Sequence, residues 1–359
     1  MAVAKKTKPK PFLFIILFLI IVFIGGMVFS WNYFTGPVDK NDSEDIEVTI
    51  TSGTNSSQIG HILKDNHLIH SELLFKIYLK MNHVQSLKAS TYIFHRNMSL
   101  EDIIHTLEEG STYNPDMIKL TFKEGLRITD FAEVIEKGTN HTSQEVLALM
   151  KDSTYIQSLI PKYWFLTDAI LDPSIYYPLE GYLAPDTYHF DNKDVEIQDI
   201  IETMLKQMDK NLETYKVKIA EKPHYYLTMA SIVELEGTNT ENKEMIVGIF
   251  ENRLASGMSM GSDVTTYYGL QLPMTSDLTT AQFESINAYN TRSATMAGKM
   301  PAGPICNPGK GSIAASVNPT KNDYYFFVAD KHGKIYYTKT ASEHSKKVAE
   351  IKANGDWIW

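Results

Sequence analysis

Residues 12–30 read FLFIILFLIIVFIGGMVFS, an apolar run without a charge. A helix rises 1.5 Å per residue, so about 20 such residues cross a hydrocarbon layer of ~30 Å. Trp31 and Tyr33 follow at once, where amphipathic rings sit at headgroup level. The pattern predicts a transmembrane helix over 12–34, preceded by a tail over 1–11. A polar, turn-forming linker over 35–45, containing GPVDKNDSE, follows it. A cleaved signal peptide has a shorter apolar core of about 7–15 residues and an A-x-A site. This run is longer, and no such site follows it.

Beyond the linker, Ile46, Val48 and Ile50 alternate with polar neighbours, predicting a half-buried strand over 46–51. Helical spacing predicts short helices over 56–64 and 71–81, the second from Leu73, Leu74, Ile77 and Tyr78. A strand over 91–94 follows. Ser99-Leu100-Glu101-Asp102 then opens a helix to 109 with a capping-box start. The first unit, 46–115, is therefore β-α-α-β plus a helix. A second and larger mixed unit, 116–359, starts with a strand over 118–122. Its predicted helices are 129–137, 143–151, 195–215, 225–236, 242–254 and 342–352, and its aromatic strands are 324–328 and 335–338. Residues 256–319 are rich in Gly, Pro, Asn, Ser and Thr. That composition predicts a long irregular segment, of the kind that carries binding residues. The fold class is α+β.

Charge changes the picture in two ways. Lys5, Lys6, Lys8 and Lys10 are the only charged residues before Asp39, so the positive-inside rule puts the N-terminus in the cytoplasm and the bulk of the chain outside. The 359 residues carry a formal charge of −9, and without those four lysines the remainder carries −13. A body that acidic is a poor nucleic-acid binder. Hydrophobic residues make up 43% of the chain, enough to build cores. The single cysteine, Cys306, excludes an intramolecular disulfide and a multi-cysteine metal site.

Most familiar chemistries find no foothold. His61, His67 and His70 lie close in sequence but lack acidic partners at ligand spacing, so a metal site is not expected. Cys306 sits in the rigid turn PAGPICNPG with no histidine nearby to activate it. There is no G-x-S-x-G elbow, Walker A loop or G-x-G-x-x-G fingerprint.

The end of the helix over 225–236 stands out. It is apolar on most faces and finishes Val233-Glu234-Leu235-Glu236-Gly237. Residues two apart on a helix point about 200° apart, so Glu234 and Glu236 cannot share one cleft unless the helix has ended. Gly237 is a natural terminator, which puts Glu236 on the final turn. There the negative helix end and partial burial both raise its pKa. A carboxyl kept protonated near neutral pH suits a general acid. The competing reading makes one or both glutamates surface or ion-paired residues.

Ala230-Ser231-Ile232-Val233-Glu234-Leu235-Glu236, followed by Asn252-Arg253-Leu254, resembles the A-S-I-V-E-x-E and N-R-L pattern of the endolytic murein transglycosylase family, also called MltG or YceG-like. Further matches keep the family's order. Residues 179–188 (LEGYLAPDTY) resemble its E-G-x-x-x-P-D-T-Y segment. Tyr289-Asn290-Thr291 and residues 301–305 (PAGPI) match Y-N-T and P-P-G-P-I, before Asn307-Pro308-Gly309 and the YFFVAD run over 325–330. The resemblance spans nearly the whole chain. It implies a LysM-like small domain and a catalytic domain with a lytic-transglycosylase-like helical core.

The resemblance also implies an activity. The family cuts the β-1,4 bond from N-acetylmuramic acid to N-acetylglucosamine in nascent glycan strands, leaving 1,6-anhydro ends and terminating polymerisation. The second acid of E-x-E carries the reaction, which maps to Glu236, with Glu234 as a supporting residue or the alternate acid. No metal or organic cofactor is required. The implied partners are peptidoglycan glycan strands, the membrane through one helix, and peptidoglycan synthases. Asp263, Thr265 and Tyr268, in MGSDVTTYYG, resemble the family's L-Q-x-D-P-T-x-x-Y-G, with Gly261 in place of Gln and Val264 in place of Pro. They are candidate substrate-binding residues. So are Asn290, to orient the acid or an acetamido group, and Tyr289, to stack on a sugar ring; turn and core structure is the competing reading for both. Glu180 and Asp186 are expected to brace a loop. A water-using muramidase and a non-catalytic peptidoglycan-binding scaffold that recruits synthases are the alternatives.

Overall fold

A computed structural model describes residues 11–84, 86–111 and 114–357, so the four lysines of the N-terminal tail lie outside the described residues. The chain divides into two compact units, Met1–Pro115 and Asp116–Trp359.

The first unit begins with α1 (Pro11–Thr35). Its window Phe18–Thr35 is long and apolar enough to cross a membrane, and none of that window is buried in the protein. Strand β1 (Ile46–Ile50) follows, then α2 (Ser56–Asp65), α3 (Glu72–Met81), β2 (Ser90–Phe94) and α4 (Leu100–Glu109). The strands pair antiparallel, with Val48 opposite Tyr92. Strand alternation therefore turns Val48, Ile50, Tyr92 and Phe94 to one face, where they meet Phe75 and Leu107 in a core of their own. Helix α4 starts as its sequence predicts: Ser99 Oγ accepts from the Asp102 N–H, and Asp102 accepts from the Ser99 N–H.

The second unit opens with β3 (Ile118–Thr121), which pairs antiparallel with the distant β4 (Thr187–Phe190). Between these strands lie α5 (Ile128–Gly138), α6 (Ser143–Leu149) and α7 (Ser153–Leu159), and α8 (Ile197–Leu212) and α9 (Lys216–Ile219) follow. Together they enclose a core that includes Phe131, Phe165, Tyr182 and Met204. The rest of the unit holds α10 (Pro223–Glu236), α11 (Thr240–Ala255), α12 (Asp263–Gly269), α13 (Thr280–Phe283) and α14 (Lys310–Val317). A hairpin of β5 (Phe326–Ala329) and β6 (Ile335–Thr338) comes next, and α15 (Ala341–Ala353) is the last element among the described residues.

Helix α10 is the axis of this second half. Leu227 through Val233 are all buried, so the helix is wrapped on every side, as its largely apolar sequence requires. Helices α11 and α14 pack on it and on each other, while α15 packs on the hairpin. The segment over 256–319 departs from its expected irregularity: it contains α12 and α14, each with most of its residues buried.

Candidate active site

Helix α10 ends at Glu236, and the cap residue Gly237 donates its N–H to Val233 O. Gly237 has φ −104°, an ordinary extended conformation. It is required for a different reason: a Cβ there would sit 2.5 Å from Lys243 Cγ and 3.2 Å from Lys243 Cα. The start of α11 thus passes so close that only glycine fits, and the chain turns out of α10 immediately after the acid.

The two glutamates diverge as the helix geometry demands. Glu234 is tied down on both oxygens. Lys243 Nζ lies 3.0 Å from Oε1, while Gly309 N–H (2.9 Å) and Ser312 Oγ (2.6 Å) donate to Oε2. Its side chain is 9% exposed and that of Lys243 12%. Glu234 therefore staples α10 to α11 and α14.

Glu236 instead opens into a cleft of about 640 Å³, lined by Arg253, Gly261, Asp263, Tyr267, Arg292 and Phe326 among others. Ser262 Oγ donates to Glu236 Oε1. Burial pushes the Glu236 carboxyl up to about 7. The Ser262 bond pulls it back, neighbouring Asp263 adds to the rise, and Arg253 and Arg292 oppose it. Burial, more than the helix end, is the cause.

The cleft has one ionic and one aromatic side. Asp263, the first residue of α12, pairs with Arg292. Arg253 reaches under the opposite wall, where its Nε donates to Tyr325 O (2.6 Å) and its guanidinium covers the Phe326 ring at 5.2 Å. His344, on α15, also lines the cleft and stacks on Phe326 at 5.5 Å. Gly261 has φ +65°, and a Cβ there would lie 3.0 Å from Arg253 Nη1. The glycine found where the family pattern has glutamine thus allows a left-handed turn packed against an arginine.

Of the other expected substrate contacts, only Asp263 lies in the cleft lining. Thr265, Tyr268, Tyr289 and Asn290 are buried beneath it, at 1% exposure or less. Thr265 Oγ1 bonds Ser262 O (2.7 Å) and pairs with Thr291 Oγ1 (2.8 Å). Asn290 Nδ2 donates to Phe283 O and Ser285 O, and its Oδ1 accepts from Thr266 Oγ1. Tyr289 stacks on Tyr176 at 5.0 Å and meets Tyr268 edge-on at 4.8 Å. A ring with no exposed face cannot lie against a sugar, so the stacking expected of Tyr289 is not what this geometry offers. These four side chains form the floor that holds α12, and with it Ser262, in place.

Glu180 anchors that floor. It accepts from Ile128 N–H (3.0 Å), Asn307 Nδ2 (3.1 Å) and Tyr268 OH (3.1 Å). Burial pushes it up to about 8 against the pull of the Tyr268 and Ile128 bonds. Cys306 is fully buried and its Sγ donates to Ser231 O; burial raises its thiol, as befits an inert packing residue. No cluster of metal-binding side chains occurs among the described residues. Sequence reasoning missed Ser262, Arg292 and His344. Ser262 lies inside the quoted MGSDVTTYYG and Arg292 directly follows Tyr289-Asn290-Thr291, so both had a signal, whereas His344 had none.

Residues 48–350 match the YceG-like family. The chain is 35% identical to the endolytic murein transglycosylase of Bacillus subtilis over 327 residues, covering 90% of this chain and 89% of that one. It is 33% identical to the endolytic murein transglycosylase of Streptococcus pneumoniae over 361 residues, covering 94% of this chain and 65% of the relative. A crystal structure of a YceG-like protein from Listeria monocytogenes superposes with a TM-score of 0.60 at 36% identity, covering 85% of this chain and 99% of that one. With the acid-bearing helix, the cleft and the ordered motifs in agreement, the chain belongs to the YceG-like family.

Proposed function

We propose that this protein is an endolytic murein transglycosylase, a lyase that cuts glycan strands of peptidoglycan internally, with Glu236 as its single acid–base group. The observation that carries the proposal is the contrast within the cleft. Glu236 is raised to about 7 and held by one hydroxyl, while the neighbouring carboxylate, Asp263, is ion-paired with Arg292.

One carboxyl is enough for the lytic reaction. Protonated Glu236 gives its proton to the glycosidic oxygen as the bond from that oxygen to muramic C1 breaks. The muramic C6 hydroxyl then bonds to C1 and returns its proton to the Glu236 carboxylate. A 1,6-anhydro ring forms, no water is consumed, and the acid is restored. Ordinary glycosidases need a second carboxylate about 5–5.5 or 6.5–9.5 Å from the first. Ser262 aims the acid, and Phe326 and Phe327 line the cleft beside it.

In this reading α1 anchors the protein with its N-terminus in the cytoplasm. The small unit is LysM-like, the second unit has a lytic-transglycosylase-like helical core, and both act outside the membrane on newly made strands. The family resemblance adds cooperation with peptidoglycan synthases to this reading. The test is to incubate the purified full-length protein with uncrosslinked glycan strands and weigh the products. Internal fragments with anhydro-muramic ends support the proposal. Products heavier by one water would make it a hydrolase, and strand binding without turnover would make it a scaffold.

A further inference from the structure

The small unit carries an exposed apolar row beside the end of α1. In α3, Leu73, Ile77 and Met81 are spaced four apart and so form one row along the helix. Leu73 is 67% exposed and Met81 61% exposed, with Ile77 half-buried between them. The side of α3 that faces the core is the other one, carried by Phe75 and Leu79. Lys76 and Lys80, both exposed, form the row next to the apolar one.

Two contacts fix the depth of this helix relative to α1. Trp31, in the last turns of α1, stacks on Tyr78 of α3 at 6.4 Å and 13°. Tyr33 stacks on His70, just before α3, at 4.8 Å, and His70 Nε2 bonds Pro37 O at 3.2 Å. Tryptophan and tyrosine at the end of a span sit at the headgroup level. A helix strapped to both rings is held at that same level.

We infer that α3 lies on the bilayer surface, with Leu73, Ile77 and Met81 in the interfacial layer and Lys76 and Lys80 against anionic headgroups. This rests on α1 being a membrane span. An apolar row flanked by lysines is the pattern of a helix lying in the plane of the interface. The lysine stems extend along apolar surface while their ammonium groups reach phosphate. Helix α4 exposes Glu101, Asp102 and Glu108, and those carboxylates keep it in water. The small unit is thereby held flat at the membrane, beside the place where new strands emerge.

The test uses the full-length protein in vesicles, with an environment-sensitive fluorophore on single introduced cysteines; Cys306 is buried and does not label. Probes go at Leu73→Cys, Met81→Cys, Val22→Cys in the span, and His105→Cys on the outer face of α4. Vesicles are either pure phosphatidylcholine or a mixture with phosphatidylglycerol, each with and without spin-labelled lipid. The expected result is quenching by spin-labelled lipid at Leu73 and Met81, stronger in the anionic vesicles, and none at His105. Lys76→Gln with Lys80→Gln should weaken the partition of α3 by about fivefold per lysine, read as lost quenching at Leu73. Quenching at Val22 with none at Leu73 and Met81 overturns the inference and leaves the anchor standing. No quenching at Val22 removes the anchor and the inference with it. Equal quenching in both lipids overturns the headgroup assignment of the lysines.

Discussion

Glu234 and Glu236 stand two residues apart at the end of one helix and meet opposite surroundings. Both oxygens of Glu234 are filled by Lys243, Gly309 and Ser312. Glu236 has one hydroxyl, from Ser262, and an open cleft. The close passage of Lys243 past Gly237 produces the difference, because it ends α10 directly after Glu236 and brings the lysine to Glu234. The same crossing of chains that satisfies one carboxylate leaves the other open to the cleft.

Replacing Glu236 with Gln should abolish cleavage and spare the fold. The amide keeps the size of the side chain and can still accept from Ser262, but it has no proton to give. General acid–base catalysis is worth about 10²- to 10⁴-fold, and here one group serves both steps, so the loss should reach the upper end of that range. Anhydro-muramic ends counted by mass spectrometry check it; activity within a few-fold of the parent would remove Glu236 from the mechanism.

Glu234→Gln should do the reverse and cost stability. Its amide nitrogen must face a donor, either the Lys243 ammonium or the Gly309 N–H. Stranding one partner of a nearly buried ion pair costs about 3–5 kcal/mol, a fall in Tm on the order of 10 °C for a unit of this size. Adding Lys243→Met should recover more than half of that fall, since no charge is then left unpaired. A thermal melt of the parent and both variants decides it.

These roles show how far the residues speak for themselves. The amphipathic elements were legible: β1, α3 and α4 carry one buried face each, and the Ser99–Asp102 capping box reads directly from sequence. Helix α14 was hidden because its buried face includes Ser312 and Ser316 beside Ile313, Ala315 and Val317, so polar and apolar positions set no period. Helix α12 was hidden by Val264, Thr265 and Thr266, poor helix formers that tertiary packing overrides. In the site, Glu236 was visible through Gly237, though the glycine acts by close approach and not by a positive φ. Asn290 and Tyr289 lay in a stretch that looks like exposed loop. They are instead interior, because a buried loop must satisfy its own carbonyls, and Asn290 does so for Phe283 and Ser285. Ser262 and Arg253 reach Glu236 only once distant segments have met.

Gly261→Gln would restore the residue of the family pattern and should destabilise this protein. The backbone there is left-handed, which costs a residue with a Cβ about 1–2 kcal/mol, or roughly 2–8 °C in Tm. The new Cβ also presses on Arg253, which holds the Phe326 side of the cleft. Gly261→Ala should show the same backbone cost without the long side chain, so equal melting shifts in the two variants would assign the effect to φ alone.

The fold itself should register the reactive state of Glu236. Its carboxyl is raised from an ordinary 4.5 to about 7, so the folded protein holds a proton that the unfolded chain releases. Below about pH 4.5 both states are protonated and there is no penalty. Between there and pH 7 the unfolded state gains from ionising, and above pH 7 the penalty is constant. Glu236→Gln removes it, so the variant should melt higher than the parent at pH 8 and nearly level with it at pH 4.5. A gap that does not widen with pH would mean Glu236 is not raised.

Catalysis should read the same carboxyl from the other side. Cleavage needs protonated Glu236, so the rate should fall as pH rises through about 7. The Ser262 hydroxyl favours the ionised form and holds the pKa down. A hydrogen bond to a charged group is worth about 1.5–3 kcal/mol, and one pKa unit is 1.36 kcal/mol, so Ser262→Ala should move the falling limb up by about one to two units. If Ser262 served only to aim the acid, the variant would lose rate equally at every pH and keep its limb. A kcat profile from pH 5 to 9 separates the two, and a variant that outperforms its own pH 6 ratio to the parent at pH 8 establishes that the bond sets the proton affinity of the acid.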